Sequence, residues 1–180
     1  MKYQVLEMVG ISGEFPVNQL HRLIESSSYA EKIITELKNE KLIRTHYRDR
    51  LRGYRLTKHA KELLLAQNMP RFHDYLTGNT ETNLIRSELP RRIRLHQKAE
   101  IYLTLLHANI PIFYDVKPNI FSRTCEADSS FIQDLPLFYS SREIKTLGYD
   151  TTKIRNSRSV GILLSPQCVY ALYNTGNSVD

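Results

Sequence analysis

Residues 53–64 have the sequence GYRLTKHAKELL, which marks a junction between a β-strand and an α-helix. Tyr54–Leu56 is predicted to form the second strand of a hairpin. Thr57 follows it at once, and threonine is a preferred residue at the N-cap of a helix. The apolar residues after Thr57 have the spacing of a buried helix face: Ala60, Leu63 and Leu64. The hairpin is therefore expected to lead directly into a helix, which Met69–Pro70 interrupts because proline disfavours helical backbone in the residue before it.

The predicted hairpin is strongly basic. Its first strand begins at Leu42–Ile43, and its turn is placed at residues 50–53, where Gly53 is free to adopt a positive φ angle. Residues 41–61 carry eight Lys and Arg side chains against Asp49 alone, although the net charge of the whole 180-residue chain is only +6. Such a local excess of cations is typical of proteins that bind a polyanion.

Three helices are predicted before the hairpin. The first is Lys2–Val9, broken by Gly10–Gly13, and a short strand at residues 14–17 leads into the second. The third helix is placed at residues 28–40, because Ser28 and Glu31 have the spacing of a capping box. Its expected buried stripe is Ala30, Ile33, Ile34 and Leu37.

Three helices, a basic hairpin and a following helix occur in the order found in winged-helix domains, and residues 53–64 resemble the end of the wing in that superfamily. The resemblance covers residues 1–76 and implies an N-terminal winged helix-turn-helix that binds duplex DNA. It implies that the helix at 28–40 enters the major groove and that the wing at 43–56 contacts the phosphate backbone. Arginine suits the wing because its planar fork bonds a phosphate at two points. The predicted DNA-binding residues are Ser28, Tyr29, Lys32, Thr35, Lys38, Arg44, Tyr47, Arg48, Arg50, Arg52 and Arg55.

The rest of the chain is predicted to hold a linker with a short helix at residues 77–89 and an α+β domain at 90–180. A long helix is expected to begin at Pro90 and to be followed by a small, mainly antiparallel sheet, so the overall fold class is α+β. The sheet has few helices to cover it, which favours either a fragment of a longer protein or a unit that pairs with another chain. The predicted strands are Ile112–Tyr114, Leu137–Ser140, Glu143–Leu147, Val160–Leu164 and Val169–Tyr173, with the last two paired as a hairpin.

A second basic cluster lies at the start of the long helix: Arg91, Arg92, Arg94 and Lys98. Positive charge at a helix N-terminus opposes the helix dipole, so the cluster has no structural explanation in the helix itself. An anionic partner and a merely solvated basic face remain equal alternatives. The apolar face of Pro90–His107 is a candidate surface for a homodimer.

The plan of the whole chain also resembles the replication-relaxation family of plasmids and integrative mobile elements. The resemblance is carried by Tyr54–Thr57, by the helix Arg91–His107 and by the hairpin Val160–Tyr173. It implies a DNA-binding role in the replication or transfer of a mobile element. Regulation of transcription is an equally open role for a winged-helix protein.

Two alternatives come from other functional classes. Glu143 and Lys145, with Asp134 or Asp128 upstream, resemble the active site of the PD-(D/E)XK nucleases, in which two carboxylates hold a divalent metal ion and a lysine orients the attacking water. This spacing is common by chance, so a non-enzymatic protein is the default prediction. The other alternative is a winged-helix protein-interaction module whose hairpin binds an acidic partner protein.

Several classes of site and location are not expected. The apolar runs are shorter than a membrane span, and Glu7 interrupts the region where a signal peptide would be apolar, so a cytoplasmic protein is expected. Cys125 and Cys168 do not have the spacing of metal ligands, and the chain has no glycine-rich phosphate-binding loop. We therefore expect no metal, no cofactor and no small-molecule ligand.

Overall fold

A computed structural model describes residues 1–77, 88–118, 136–146, 159–165 and 167–174. The chain divides into two compact units, Met1–Leu103 and Thr104–Asp180. The described residues combine helices with two three-stranded antiparallel sheets, so the predicted α+β class is confirmed. The first unit extends beyond the sequence-based boundary at residue 90, because buried side chains of the long helix, such as Arg92, bind residues of the N-terminal part.

The first unit holds most of the helices and one of the sheets. In chain order its elements are α1 (Lys2–Ser12), β1 (Phe15–Pro16), a 3-10 turn (Val17–Gln19), α2 (Leu20–Leu23), α3 (Ser27–Asn39), β2 (Ile43–Arg48), β3 (Leu51–Leu56), α4 (Lys58–Gln67), α5 (Met69–Leu76) and α6 (Leu89–His107). The strand order is β1-β3-β2, with β3 in the centre. The predicted short strand between the first two helices and the basic hairpin are both confirmed.

The helix α1 lies in the core and does not end at Gly10. It continues to Ser12 and ends at Gly13, whose φ of 80° is the left-handed conformation that glycine favours at a helix end. A Cβ atom on Gly10 would lie 3.4 Å from Leu56 and 3.5 Å from Leu64, so this glycine marks close packing. The predicted break at Gly10 is wrong, because burial of α1 outweighs the modest cost of glycine within a helix.

The N-cap of α3 lies two residues before the serine of its predicted capping box. Ser26 is the N-cap, and its hydroxyl accepts a hydrogen bond from the Tyr29 amide, whereas Ser28 lies exposed in the first turn. The predicted box with Ser28 is therefore wrong, although the predicted buried stripe is confirmed. The predicted cap of α4 is correct, since the Thr57 hydroxyl accepts from the Ala60 amide. The interruption at Met69–Pro70 is also confirmed, because α5 begins there.

The turn of the hairpin lies at Asp49–Arg50, earlier than predicted. Arg48 pairs with Leu51, and the two residues between them have φ angles of 53° and 61°. Two positive φ angles are what a two-residue type I′ hairpin turn requires. Gly53 is not in the turn. It lies in β3, where a Cβ atom would come within 2.5 Å of Glu14 Oε1.

The second unit is built around a small antiparallel sheet. Its described elements are a 3-10 turn (Tyr114–Val116), β4 (Leu137–Ser140), α7 (Ser141–Thr146), β5 (Ser159–Leu164) and β6 (Val169–Tyr173). The strand order is β4-β5-β6, and the predicted hairpin of the last two strands is confirmed. The strand predicted at Leu137–Ser140 is confirmed as well.

Two predicted strands of this unit are wrong. Ile112–Tyr114 leads into the 3-10 turn, and Glu143–Leu147 begins inside α7. The helix forms because Ser140 and Glu143 make a reciprocal capping box. The Glu143 amide donates to Ser140 Oγ at 3.3 Å, and the Ser140 amide donates to Glu143 Oε2 at 2.6 Å. Most of the predicted linker and its short helix, residues 78–87, lies outside the described residues.

Candidate nucleic-acid interface

The hairpin presents different side chains on its two faces, because successive residues of a strand point to opposite sides. Tyr47, Arg52 and Tyr54 lie on the face next to α3, where Lys38 Nζ is 5.6 Å from the centre of the Tyr54 ring. Arg55 lies on the other face and binds Glu14. The predicted arginines of the wing therefore do not all belong to one surface.

The exposed residues of α3 and of the adjoining hairpin face are here called the α3–hairpin surface, since Lys38 and Tyr54 bring the two elements into contact. It consists of Ser28, Tyr29, Lys32, Thr35, Lys38, Tyr47 and Arg52. Tyr54 lies beneath it and connects the two elements. Burial raises the pKa of the Tyr54 hydroxyl, while nearby Arg52 acts in the opposite direction and Glu31 of α3 adds to the increase.

The predicted residues of α3 lie on the exposed side of the helix. Tyr29 is 48% exposed, and the Thr35 hydroxyl donates to the Glu31 carbonyl oxygen at 2.8 Å. Two acidic residues near the end of α3 share one cation from another helix. Lys2 Nζ lies 2.8 Å from Glu36 and 2.9 Å from Glu40. The single ammonium group offsets one of the two negative charges.

Five hairpin residues among the predictions are exposed: Arg44, Tyr47, Arg48, Arg50 and Arg52. Tyr47 is 67% exposed although it is aromatic. Arg48 Nε lies 3.5 Å from the Asp49 carboxylate, and both side chains are largely solvated. Among the described residues, Arg44, Arg50 and Arg52 make no hydrogen bond or ion pair. Their positive charges face solvent.

Arg55 is not available to a ligand, and its prediction as a DNA contact is corrected. It is only 6% exposed, and its Nε donates to Glu14 Oε2 at 2.7 Å. Burial lowers the pKa of Arg55, and Glu14 acts against that effect. Arg55 therefore holds the hairpin to the residue just before β1.

Arg92 of the predicted second basic patch is also buried, with an exposed fraction of 0%. Its Nη2 donates to Glu14 Oε1 at 2.7 Å. Of the other members, Lys98 lies over the rings of Tyr75 and Tyr102, at 5.5 and 5.1 Å, while Arg94 is exposed. Arg91 is partly buried. The four residues do not form one basic surface, because Arg92 is buried on a different side of α6 from Arg91, Arg94 and Lys98, which have the i, i+3, i+7 spacing of a single helix face.

Glu14 is the centre of this buried cluster, and sequence analysis did not identify it. Its side chain is fully buried, and His96 Nε2 lies 2.8 Å from its Oε1. Burial has the largest single influence and would raise the pKa of Glu14. The hydrogen bonds from His96, Arg92 and Arg55 together outweigh it and lower the pKa to about 2. The one local signal in the sequence was Gly53, since a glycine inside a strand often marks a close approach.

Part of the apolar face of α6 that is predicted as a dimer surface is used within the chain. Ala99, Tyr102 and Leu103 are all fully buried. Leu95 and Leu106 of the same face are partly buried.

The residues of the nuclease alternative are arranged differently from the prediction. Glu143 is buried, its Oε1 lies 2.6 Å from Lys117 Nζ, and its Oε2 accepts the Ser140 amide. Lys117 also donates to the carbonyl oxygens of Ile112 and Phe138, at 3.3 and 2.8 Å. Burial lowers the pKa of Lys117, and Glu143 partly offsets that effect.

This arrangement does not have the expected shape of a nuclease site. Positions 143 and 145 lie in a helix, where residues two apart do not face each other. The side chain of Lys145 and the whole of Asp128 and Asp134 lie outside the described residues. Within the described ranges, no group of three or more His, Cys, Asp or Glu residues has the arrangement of a metal site.

Comparison of this chain with family models, with curated proteins and with solved structures gave no match. Among the described residues, none of the helices has the length and apolar character needed to span a membrane.

Proposed function

We propose that this protein binds duplex DNA through its N-terminal unit, in the manner of a winged-helix domain. In this proposal α3 enters the major groove, and the hairpin formed by β2 and β3 contacts the phosphate backbone beside it. The binding residues are the α3–hairpin surface together with Arg44, Arg48 and Arg50. Arg55 and Arg92 support the hairpin from inside.

The observation that carries the proposal is the division of the hairpin arginines into two sets. Arg55 is buried and has a structural partner, whereas Arg44, Arg50 and Arg52 are exposed and have none among the described residues. Exposed cations close together repel one another and stabilise nothing within the chain. A polyanion offers them partners, and binding releases the counterions condensed on DNA.

The resemblance to the replication-relaxation family supports a narrower proposal. In that setting the DNA-binding unit would act in the replication or transfer of a mobile element, and transcriptional regulation is the other role consistent with the same surface. Both roles require the DNA contact first.

The proposal predicts a steep salt dependence of DNA binding. Each phosphate contact contributes about 0.9 to the slope of log affinity against log salt concentration. The triple variant Arg48→Ala, Arg50→Ala, Arg52→Ala should bind a random-sequence duplex with a slope smaller by about 2–3. Fluorescence anisotropy of a labelled duplex across a salt series measures both slopes.

A charge-matched control separates the effect of the hairpin arginines on the slope from the effect of the protein's net charge. The variant Lys58→Ala, Lys61→Ala, Arg142→Ala also removes three cations, from α4 and α7, and its slope should remain close to the wild-type value. No binding by the wild-type protein at low salt would overturn the proposal and favour an acidic protein partner. Equal slopes for the wild type and the hairpin variant would overturn the role of the hairpin.

A further inference from the structure

Arg92 makes more hydrogen bonds than its ion pair with Glu14 requires. Its Nη1 donates to the Arg48 carbonyl oxygen at 2.6 Å. Its Nη2 lies 3.0 Å from the Leu51 carbonyl oxygen and 3.3 Å from that of His46. One guanidinium group from α6 thus holds the hairpin backbone on both sides of the turn.

The turn that Arg92 holds is a costly one. Asp49 and Arg50 have φ angles of 53° and 61°, a left-handed conformation that aspartate tolerates but that is unfavourable for arginine because of its Cβ atom. Such backbone strain persists only where the surroundings over-determine it. Arg48 and Leu51, whose carbonyl oxygens Arg92 binds, are the two residues that flank the turn.

Glu14 holds the Arg92 side chain in place. Its carboxylate accepts from Arg92 Nη2 and Nε and from Arg55, and Gly53 leaves the space for it in the sheet. Three elements distant in the sequence therefore meet at one buried carboxylate: the residue before β1, the central strand β3 and the helix α6. The arrangement leaves Arg92 no freedom to follow a moving hairpin.

We propose that Arg92 is a positioning residue for DNA binding: it holds the hairpin turn and thereby fixes the backbone that carries Arg48, Arg50 and Arg52. The inference rests on the proposed function. Arg92 touches no ligand. By holding the turn in the free protein, it lowers the entropy cost of ordering the three exposed side chains and their backbone when DNA binds.

The test is a double-mutant cycle between Arg92 and the hairpin arginines. Arg92→Lys keeps the positive charge beside Glu14, but an ammonium group lacks the planar fork that reaches several acceptors at once. In the otherwise wild-type protein, this variant should bind the random-sequence duplex about tenfold more weakly. In the background with Arg48, Arg50 and Arg52 changed to alanine, it should have no further effect, because the residues it positions are gone.

Two controls distinguish positioning from loss of stability or charge. Leu64→Ala removes a fully buried side chain of α4 and lowers stability elsewhere in the unit. Lys58→Gln removes one exposed charge. Neither should show coupling to the hairpin arginines. A second readout is amide hydrogen exchange, which Arg92→Gln and Arg92→Lys should accelerate at residues 46–52 and Leu64→Ala should not.

The outcomes separate the two proposals. If the wild-type protein binds no DNA, the proposed function and the positioning role are both overturned. If it binds DNA but Arg92→Lys weakens binding by the same factor in both backgrounds, only the positioning role is overturned. Unchanged exchange at residues 46–52 in both Arg92 variants would also overturn it.

Discussion

At the scale of single residues, Arg50 is the clearest case of a side chain placed against the preference of its backbone. Its φ angle is 61°, and one of the sequences favoured in such a turn is Asp-Gly, which differs from Asp49–Arg50 only at this position. Its side chain is exposed and has no hydrogen bond or ion pair among the described residues. The fold does not need an arginine at this position, and glycine would suit the backbone conformation better.

Replacement of Arg50 by glycine should therefore separate stability from binding. The cost of the left-handed conformation disappears, while the unfolded chain gains some entropy, so the free energy of unfolding should stay unchanged or rise by up to about 1 kcal/mol. In the proposed function Arg50 contacts one phosphate, so the affinity of the variant for duplex DNA should fall. Urea denaturation and anisotropy titrations measure the two effects.

Arg52→Gly is the matched control, because Arg52 lies within β3 and has no positive φ angle. There, glycine should destabilise the protein, since it weakens a strand without relieving strain. A loss of stability in Arg50→Gly as large as that in Arg52→Gly would contradict this interpretation of the turn.

At the scale of elements, α7 shows how a short helix is fixed by its end and by one buried ion pair. The reciprocal bonds of Ser140 and Glu143 form its first turn, and the same Glu143 carboxylate binds Lys117 at 2.6 Å. Both side chains of the ion pair are almost completely buried. Removal of one partner from such a pair leaves an uncompensated charge in the interior.

Lys117→Met should accordingly lower the free energy of unfolding by about 3 kcal/mol or more, because the buried Glu143 carboxylate loses the ammonium group that lies 2.6 Å from its Oε1. The double variant Lys117→Met, Glu143→Gln should recover part of that loss, since glutamine retains the capping-box bond and carries no charge. Urea denaturation followed by circular dichroism gives both values. A double variant less stable than Lys117→Met would show that charge burial is not the cause.

At the scale of the whole molecule, Glu14 joins parts of the chain that are far apart in sequence. Arg55 is 41 residues away and Arg92 is 78 residues away. Since the pKa of Glu14 is lowered to about 2 from an ordinary value of 4.5, the folded state favours the ionised form. Its contribution to stability is therefore complete above pH 4.5 and is lost as the pH falls towards 2.

The variant Glu14→Gln should lack the loss of stability at acid pH that protonation of Glu14 causes in the wild type. At neutral pH it should be less stable than the wild type by about 3 kcal/mol. Between pH 4.5 and 2 its urea midpoint should fall less steeply with pH than that of the wild type. Glu25→Gln, at an exposed position, is the control and should follow the wild-type curve. Parallel curves for Glu14→Gln and the wild type would contradict the role of this carboxylate.

Local patterns predicted much of the secondary structure. The buried stripe of α3, the cap at Thr57, the break at Met69–Pro70 and the hairpin of β5 and β6 follow from periodicity, capping and breaker residues within a few positions. Two errors came from choosing the wrong one of two local signals. Ser26 and Ser28 both suit a cap of α3, and the capping box at Ser140–Glu143 was overlooked in favour of an alternating strand pattern.

The sequence by itself determined that the chain has an α+β fold, that its hairpin is basic and that its third helix has an exposed polar face, because these properties depend on neighbours in the chain. Only the tertiary structure decided which cations face solvent. Arg52 and Arg55 are the same residue type in the same strand, yet Arg52 is exposed and Arg55 is bound to Glu14. The physical reason is that a buried charge needs an opposite charge close by, and the partner of Arg55 and Arg92 lies dozens of residues away in the sequence.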